Sequence, residues 1–296
     1  MTPPSPTPPA EPPGEGIRRI LIALDTSADS AAALEAAAAL AALLEAELEG
    51  LFVEEEHLLL LATQAATEVD LLSGRRRTLE RPTIERQLRA RAARARRALE
   101  RTAGRLRVRW SFRTAQGRVE TELLAAGADL ITLGIRGHSP RRPPGSTAAA
   151  VIAKAPLPVL VLGRGARLGR TVHVLYDGTP AARRALAIAA ELARRNRAPL
   201  NVVVSGEDPE VRRRELDELL PDAAAAPEAE AGTEPRAPEL PELRVETVPV
   251  VEPQALIELL RRRGCGLLVV PRSGETLAPE ALRETVRRAH CPVLVT

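Results

Sequence analysis

Aromatic side chains are nearly missing from this chain of 296 residues: Phe52, Trp110, Phe112 and Tyr176 are the whole set. A core has to be assembled from Leu, Val, Ile and much Ala. The stacking platforms that hold single-stranded nucleic acid are almost absent. Lysine is rarer still, because Lys154 is the one basic residue that is neither arginine nor histidine. The arginines do not amount to a phosphate-binding field, since 39 Asp and Glu nearly balance 42 Lys and Arg and leave a net charge of +3. Neither DNA nor RNA is the expected partner.

Cysteine is limited to Cys265 and Cys291, too few and too isolated for a disulfide framework or a zinc site. Each precedes a short apolar run, which would place them near one another on neighbouring strands as reduced, partly buried thiols. No apolar stretch reaches the ~18 residues of a membrane span. Residues 1–16 are proline-rich, lack the apolar segment of a secretory signal, and read as a disordered or polyproline-II tail. The expectation is a cytoplasmic protein with no membrane insertion.

What is present is a strand–helix alternation. Ile17 to Leu24 reads as a buried strand ending at Asp25, and Ala31–Leu48 as a helix with N-cap chemistry from Thr26, Ser27 and Asp29, closed by Gly50. Leu51-Phe52-Val53 is a second strand. In the long segment that follows, Thr83–Arg101 carries Ile84, Leu88, Ala92, Ala95 and Leu99 at helical spacing, its arginines solvated or paired with Glu85 and Glu100. Strands at Arg107–Arg113, Asp129–Gly134 and Pro158–Leu162 alternate with helices at Val119–Ala126 and Ser146–Lys154. This order argues for a doubly wound parallel α/β sheet.

The pattern then repeats. Thr171–Asp177 matches the first strand and its terminal Asp25, and Ala185-Leu186 follow Asp177 at the spacing of Ala33-Leu34 after Asp25. Leu200–Val204, Pro209–Leu220, Leu243–Val251, Gln254–Arg262, Gly266–Val270, Ala278–Arg288 and Pro292–Thr296 complete a second copy, with a mobile loop expected at 221–241. The resulting domains are 17–165 and 170–296, joined by a short linker around Gly163–Gly169, so the first should pack against the second.

Ile20-Leu-Ile-Ala-Leu-Asp-Thr-Ser27, Ala128–His138, Gly145-Ser-Thr147, Leu157–Leu162 and His290–Thr296 together resemble universal stress proteins. The resemblance implies two tandem domains of the adenine nucleotide alpha hydrolase-like type. Each would be a five-stranded parallel sheet of order 3-2-1-4-5 with helices on both faces. It also implies a nucleotide site of pattern G-x2-G-x9-G-[ST]. There, glycines let backbone amides approach phosphates, and the final Gly-Ser opens a helix whose N-terminus favours an anion.

Gly134, Gly137, Gly145 and Ser146 fit that pattern, but seven residues rather than nine separate Gly137 from Gly145. Three of the seven, Pro140, Pro143 and Pro144, lack an amide donor. By the resemblance Asp25 faces a ribose, Val53 lines an adenine pocket, Ser146 and Thr147 hold phosphate, and Arg136 and His138 add to the site. ATP or ADP, with Mg²⁺ only alongside it, is the implied ligand of the first domain. In the second, Pro271-Arg-Ser-Gly-Glu-Thr-Leu-Ala-Pro-Glu280 keeps one glycine and adds Glu275, so no nucleotide is expected there.

His57, His138, His173 and His290 are scattered, and no metal-ligand spacing, nucleophile elbow or Walker lysine occurs. No catalytic or metal residue is assigned. The readings left open are a nucleotide-responsive stress protein acting on a protein partner, a ligand-independent interaction scaffold, and, third, a slow hydrolase using His138. Family members often dimerise through the fifth strand, so either a monomer satisfying that interface internally or a homodimer of tandem chains is expected.

Overall fold

The computed structural model describes residues 16–25, 27–55, 67–69, 76–78, 81–135, 146–163, 165–205, 209–224, 242–248, 252–274 and 277–296. The tail before Gly16, the glycine loop at 136–145 and residues 225–241 of the expected loop lie outside them. In chain order the elements are β1 (Arg19–Ala23), α1 (Ala28–Leu44), β2 (Glu47–Glu55), β3 (Thr67–Val69), β4 (Arg76–Thr78), α2 (Arg81–Leu106), β5 (Trp110–Gly117), α3 (Val119–Leu124), β6 (Leu130–Gly134), α4 (Ser146–Lys154) and β7 (Val159–Leu162). The second half adds β8 (Val172–Tyr176), α5 (Pro180–Asn196), β9 (Leu200–Ser205), α6 (Pro209–Ala224), β10 (Leu243–Val248), α7 (Pro253–Arg263), β11 (Leu267–Val270), α8 (Pro279–Arg288) and β12 (Val293–Val295).

Ten of these strands form one sheet in the order β10-β9-β8-β11-β12-β7-β6-β1-β2-β5. Each half has the order 3-2-1-4-5 once the small β3–β4 hairpin is set aside. Every neighbouring pair is parallel except β7 and β12, which meet antiparallel with Leu160 opposite Leu294. Both strands are short and wholly buried. A five-stranded unit ending at either strand would leave a row of unpaired amides and carbonyls, and each half covers that edge for the other.

Alternation along the strands feeds two apolar layers. Ile20, Ile22, Leu48, Leu160, Val174, Val202 and Leu294 join α1, α2, α5 and α6 on one face. Leu21, Leu51, Ile131, Val161, Leu175, Leu268 and Val293 join α3, α4, α7 and α8 on the other. Each layer runs through both halves. α1 is apolar on nearly every side and fits between the sheet, α2 and α5, where its alanines permit close approach.

Several boundaries differ from those read in the sequence. α1 stops at Leu44, and Glu45 caps it in the left-handed conformation (φ 57°), its N–H donating to the Ala41 carbonyl. Gly50 is therefore not a helix stop. It sits within β2, where a Cβ would lie 2.6 Å from Leu99 Cδ2 and 3.2 Å from Phe112 Cδ2, so the side chains of α2 and β5 require its lack of one. α2 runs on to Leu106, which delays β5 to Trp110. Residues 221–224 continue α6 instead of beginning a loop. Arg89 pairs with Glu85 as expected, and Arg105 with Glu35 of α1, but Glu100 pairs with none of the described residues. The arginines three and four positions from it, Arg96 and Arg97, precede it in the helix, the weaker order for such a pair.

The linker after Leu162 turns through an Ala166 N–H to Gly163 carbonyl bond and crosses the starts of β12 and β11. It passes so close that a Cβ on Gly266 would lie 2.5 Å from the Gly169 carbonyl carbon. Gly169 N–H donates to the Gly266 carbonyl at 3.0 Å. Beyond the far end of β11, Arg272 donates to the Leu157 carbonyl of the first half at 2.7 Å. Gly266→Ala should therefore lower the unfolding free energy by about 1–3 kcal/mol. Gly104→Ala, in α2 with nothing within 4 Å of its added methyl, should raise it by up to about 1 kcal/mol. Urea titration of both variants reads these opposite signs.

Candidate functional site

β1 delivers Asp25 just beyond its carboxyl end. The Asp25 carboxylate accepts the Ser27 N–H at 2.9 Å, and Asp25 N–H donates to Ser30 Oγ at 3.2 Å. Ser27 Oγ in turn accepts the Ser30 N–H at 3.1 Å, capping α1. A short polar residue after the strand thus fixes the turn and starts the helix. Continuing the strand register places Asp25 beside Val53 of β2, and Leu24 beside Gly134 of β6. The half-buried Val53 packs into the layer shared with α3 and α4. Ser146 and Thr147 open α4, whose Ala148, Val151 and Ile152 are buried in that same layer.

Asp25, Val53 and Gly134 are thus gathered at one corner of the sheet, at the point where strand order reverses. Arg136, Gly137, His138 and Gly145 lie outside the described residues. Gly134 has a packing reason of its own. A Cβ there would come within 2.9 Å of the backbone carbonyl of Asp29 in the first turn of α1.

The second half repeats this frame with other contents. The Asp177 carboxylate accepts from the Thr179 hydroxyl at 2.7 Å and its N–H at 3.2 Å, and Thr179 caps α5. Asp177 is only 1% exposed, whereas Asp25 is half-buried. A Cβ on Gly274 would fall 2.4 Å from Asp177 Oδ2, and one on Gly178 would fall 2.4 Å from an Arg212 guanidinium nitrogen. Backbone and guanidinium therefore occupy the surroundings of Asp177.

Two cavities stand out among the described residues. One, of about 460 Å³, lies between the start of α1 and the middle of α2; Ser27, Ser30, Arg91, Arg94, Arg97 and Arg101 line it. Among the described residues these four arginines have no carboxylate within ion-pair distance, unlike Arg89 and Arg105 of the same helix. The sequence showed an arginine-rich helix but not which arginines face α1. The other cavity, of about 370 Å³, lies on the opposite face in the second half, and His173, Asn201, Arg244, Glu246 and Arg263 line it.

His173 is fully buried, with Nε2 3.3 Å from the Asn201 amide nitrogen. Its imidazole is therefore only half satisfied, because Nδ1 finds no partner among the described residues. The row it occupies corresponds in the first half to Leu21, Glu49 and Ser111. In that half Arg113 closes on Glu49 at 2.5 Å. No group of three or more metal-ligating side chains occurs among the described residues, and no helix among them is long and apolar enough to cross a membrane.

A family model described as the Universal stress protein family matches residues 16–163 and again 169–296. A universal stress protein from Archaeoglobus fulgidus DSM 4304 is 17% identical in sequence; the match covers 94% of this chain and 95% of that one at a TM-score of 0.68. A functionally unknown protein from Pseudomonas aeruginosa PAO1 is 18% identical over 94% of this chain and 92% of its own, at a TM-score of 0.57. At these identities the likeness is one of fold. No curated protein matches the chain.

Burial first, and the Arg263 charge second, push the His173 imidazole from an ordinary 6.5 down to about 4. Between those values the unfolded chain binds more protons than the folded one, so stability rises with pH and is lost on acidification. The His173 contribution should fall by about 3 kcal/mol from pH 7 to pH 4. Urea unfolding of the protein and of His173→Gln across that range isolates it. The difference between the two should change with pH, and a constant difference would remove the assignment.

Proposed function

The chain belongs to the universal stress protein family, and from that premise we propose a non-enzymatic regulatory protein that binds one adenine nucleotide per chain, in its first half alone. Asp25 would accept from the ribose hydroxyls and Val53 would pack on the base. Gly134, Gly137 and Gly145 would admit the phosphates close to the backbone. Ser146 and Thr147 would meet them at the start of α4, where the helix dipole favours an anion. Arg136 and His138 would add donors, and Mg²⁺ would enter only with the phosphates. The second half would act as a packing partner, and a protein partner would read the nucleotide-bound state.

The observation that carries this reading is the contrast between the two aspartates. Asp177 is enclosed by Gly274, Thr179 and the Arg212 side chain, while Asp25 keeps an exposed side in the same frame. Titration calorimetry of the whole protein with ATP and Mg²⁺ should give one site per chain. Gly137→Asp should abolish the heat, and Asp25→Ala should weaken binding about tenfold, the loss of one or two hydrogen bonds. Heat no greater than that of Gly137→Asp would falsify the proposal.

The cavity walled by Arg91, Arg94, Arg97 and Arg101 favours a second reading, a scaffold that recruits an acidic partner without a ligand. Nucleotide released from freshly isolated protein by denaturation decides between them, since a scaffold carries none.

A further inference from the structure

The chain's only cysteines lie 26 positions apart and converge: Cys291 Sγ stands 2.7 Å from Cys265 Sγ. That is within about 0.7 Å of the bonded separation of a disulfide. Local structure holds both in place. Gly264 ends α7 with φ 67°, and the Cys265 N–H then returns to the Leu260 carbonyl, fixing the residue two positions before β11. Cys291 follows α8 and precedes β12, and the Leu268 N–H to Pro292 carbonyl bond locks the two strand starts together. Cys291 is buried and Cys265 is partly exposed, so a small oxidant has access to one sulfur while the second waits beside it.

We propose that Cys265 and Cys291 form an oxidation site, a thiol pair that a peroxide converts into an intramolecular disulfide fastening β11 to β12. The Cys265 sulfur attacks one peroxide oxygen; an S–O bond forms, the O–O bond breaks, and the first water leaves with the thiol proton. The Cys291 sulfur then attacks the sulfenic sulfur; the S–S bond forms, the S–O bond breaks, and the oxygen departs as a second water with the Cys291 proton. Two thiols lose two electrons and one peroxide is reduced to two waters. The hydrogen-bonding contact between the two thiols, with burial second, holds the proton on Cys265, so the first step is slow at neutral pH and this is a latch under sustained oxidation, not a rapid sensor.

The link's position gives it a structural consequence. β12 is the strand that pairs with β7 across the two halves, and the register continued by two residues sets Cys291 opposite Gly163, where the linker leaves β7. Gly134 pairs with Leu162, the preceding residue of β7. The disulfide would thus close a loop through α8 and anchor the seam of the sheet one strand away from the Asp25–Gly134 corner.

The test uses the reduced, full-length protein, exposed while folded to hydrogen peroxide and separately to diamide, which oxidises thiol pairs without a sulfenic step. Intact mass under non-reducing conditions should fall by two hydrogens in monomeric chain, and peptide mapping should place the link between Cys265 and Cys291. The thermal midpoint should rise by about 5 °C or more and return with dithiothreitol. Cys265→Ala and Cys291→Ala should each lose the mass change and the shift. Two thiols still alkylatable after both oxidants, a disulfide between chains, or a stable sulfinic acid at Cys265 would each overturn the proposal. The wild-type measurements stand alone should either alanine variant fold poorly.

Discussion

The antiparallel pairing of β7 with β12 is the contact on which the rest of this molecule depends. Three or four residues a side, all buried, turn two five-stranded parallel sheets into one sheet of ten. Without it each half would expose a flat, apolar edge strand. With it the two apolar layers run unbroken through both halves, and the linker needs only to step across the starts of β12 and β11. Gly169 and Gly266 let it do so, and the Arg272 bond to Leu157 ties the same seam from the far end of β11. The reversal of direction also sends the carboxyl ends of the two sets of strands to opposite ends of the sheet, so Asp25 and Asp177 cannot share a ligand.

Duplication gave each half the same corner, and the side chains around it then diverged. Both aspartates start their following helix through a capping hydroxyl, Ser27 or Thr179, which is reason enough to keep them. Past that shared task the second corner is filled by Gly274 and Arg212. In the first, Asp25 stays half-buried, with an arginine wall beyond the start of α1. The polar groups of the opposite face diverge too: Glu49 finds Arg113 in the first half, while His173 in the second is left with one weak contact and a depressed basicity.

The strand–helix alternation, the duplication and the positions of Asp25 and Asp177 were legible because they rest on short-range patterns: apolar runs at strand length, a fixed offset to the following helix, and small residues at the turns. The strand order 3-2-1-4-5 was legible only through the family resemblance. The apolar stripe of α2 was legible for the same reason, and Ile84, Leu88, Ala92, Ala95 and Leu99 are all buried. Gly50 misled because a glycine after a helical run signals a stop, and here it answers to Leu99, some fifty residues away. Gly134 was legible as a motif glycine, but its contact with the α1 backbone gives it a second, purely steric reason that no motif contains.

By itself the sequence determined two doubly wound copies, because periodicity and repeat spacing are local properties of the chain. It also placed two thiols at the starts of neighbouring strands. Only the tertiary structure decided that those sulfurs touch, that Asp177 is enclosed while Asp25 is not, that four arginines of α2 turn toward α1, and that the halves join edge to edge in reverse. Each of these is a contact between residues distant in sequence, set by how buried side chains share space across the sheet, and spacing along the chain carries no measure of that.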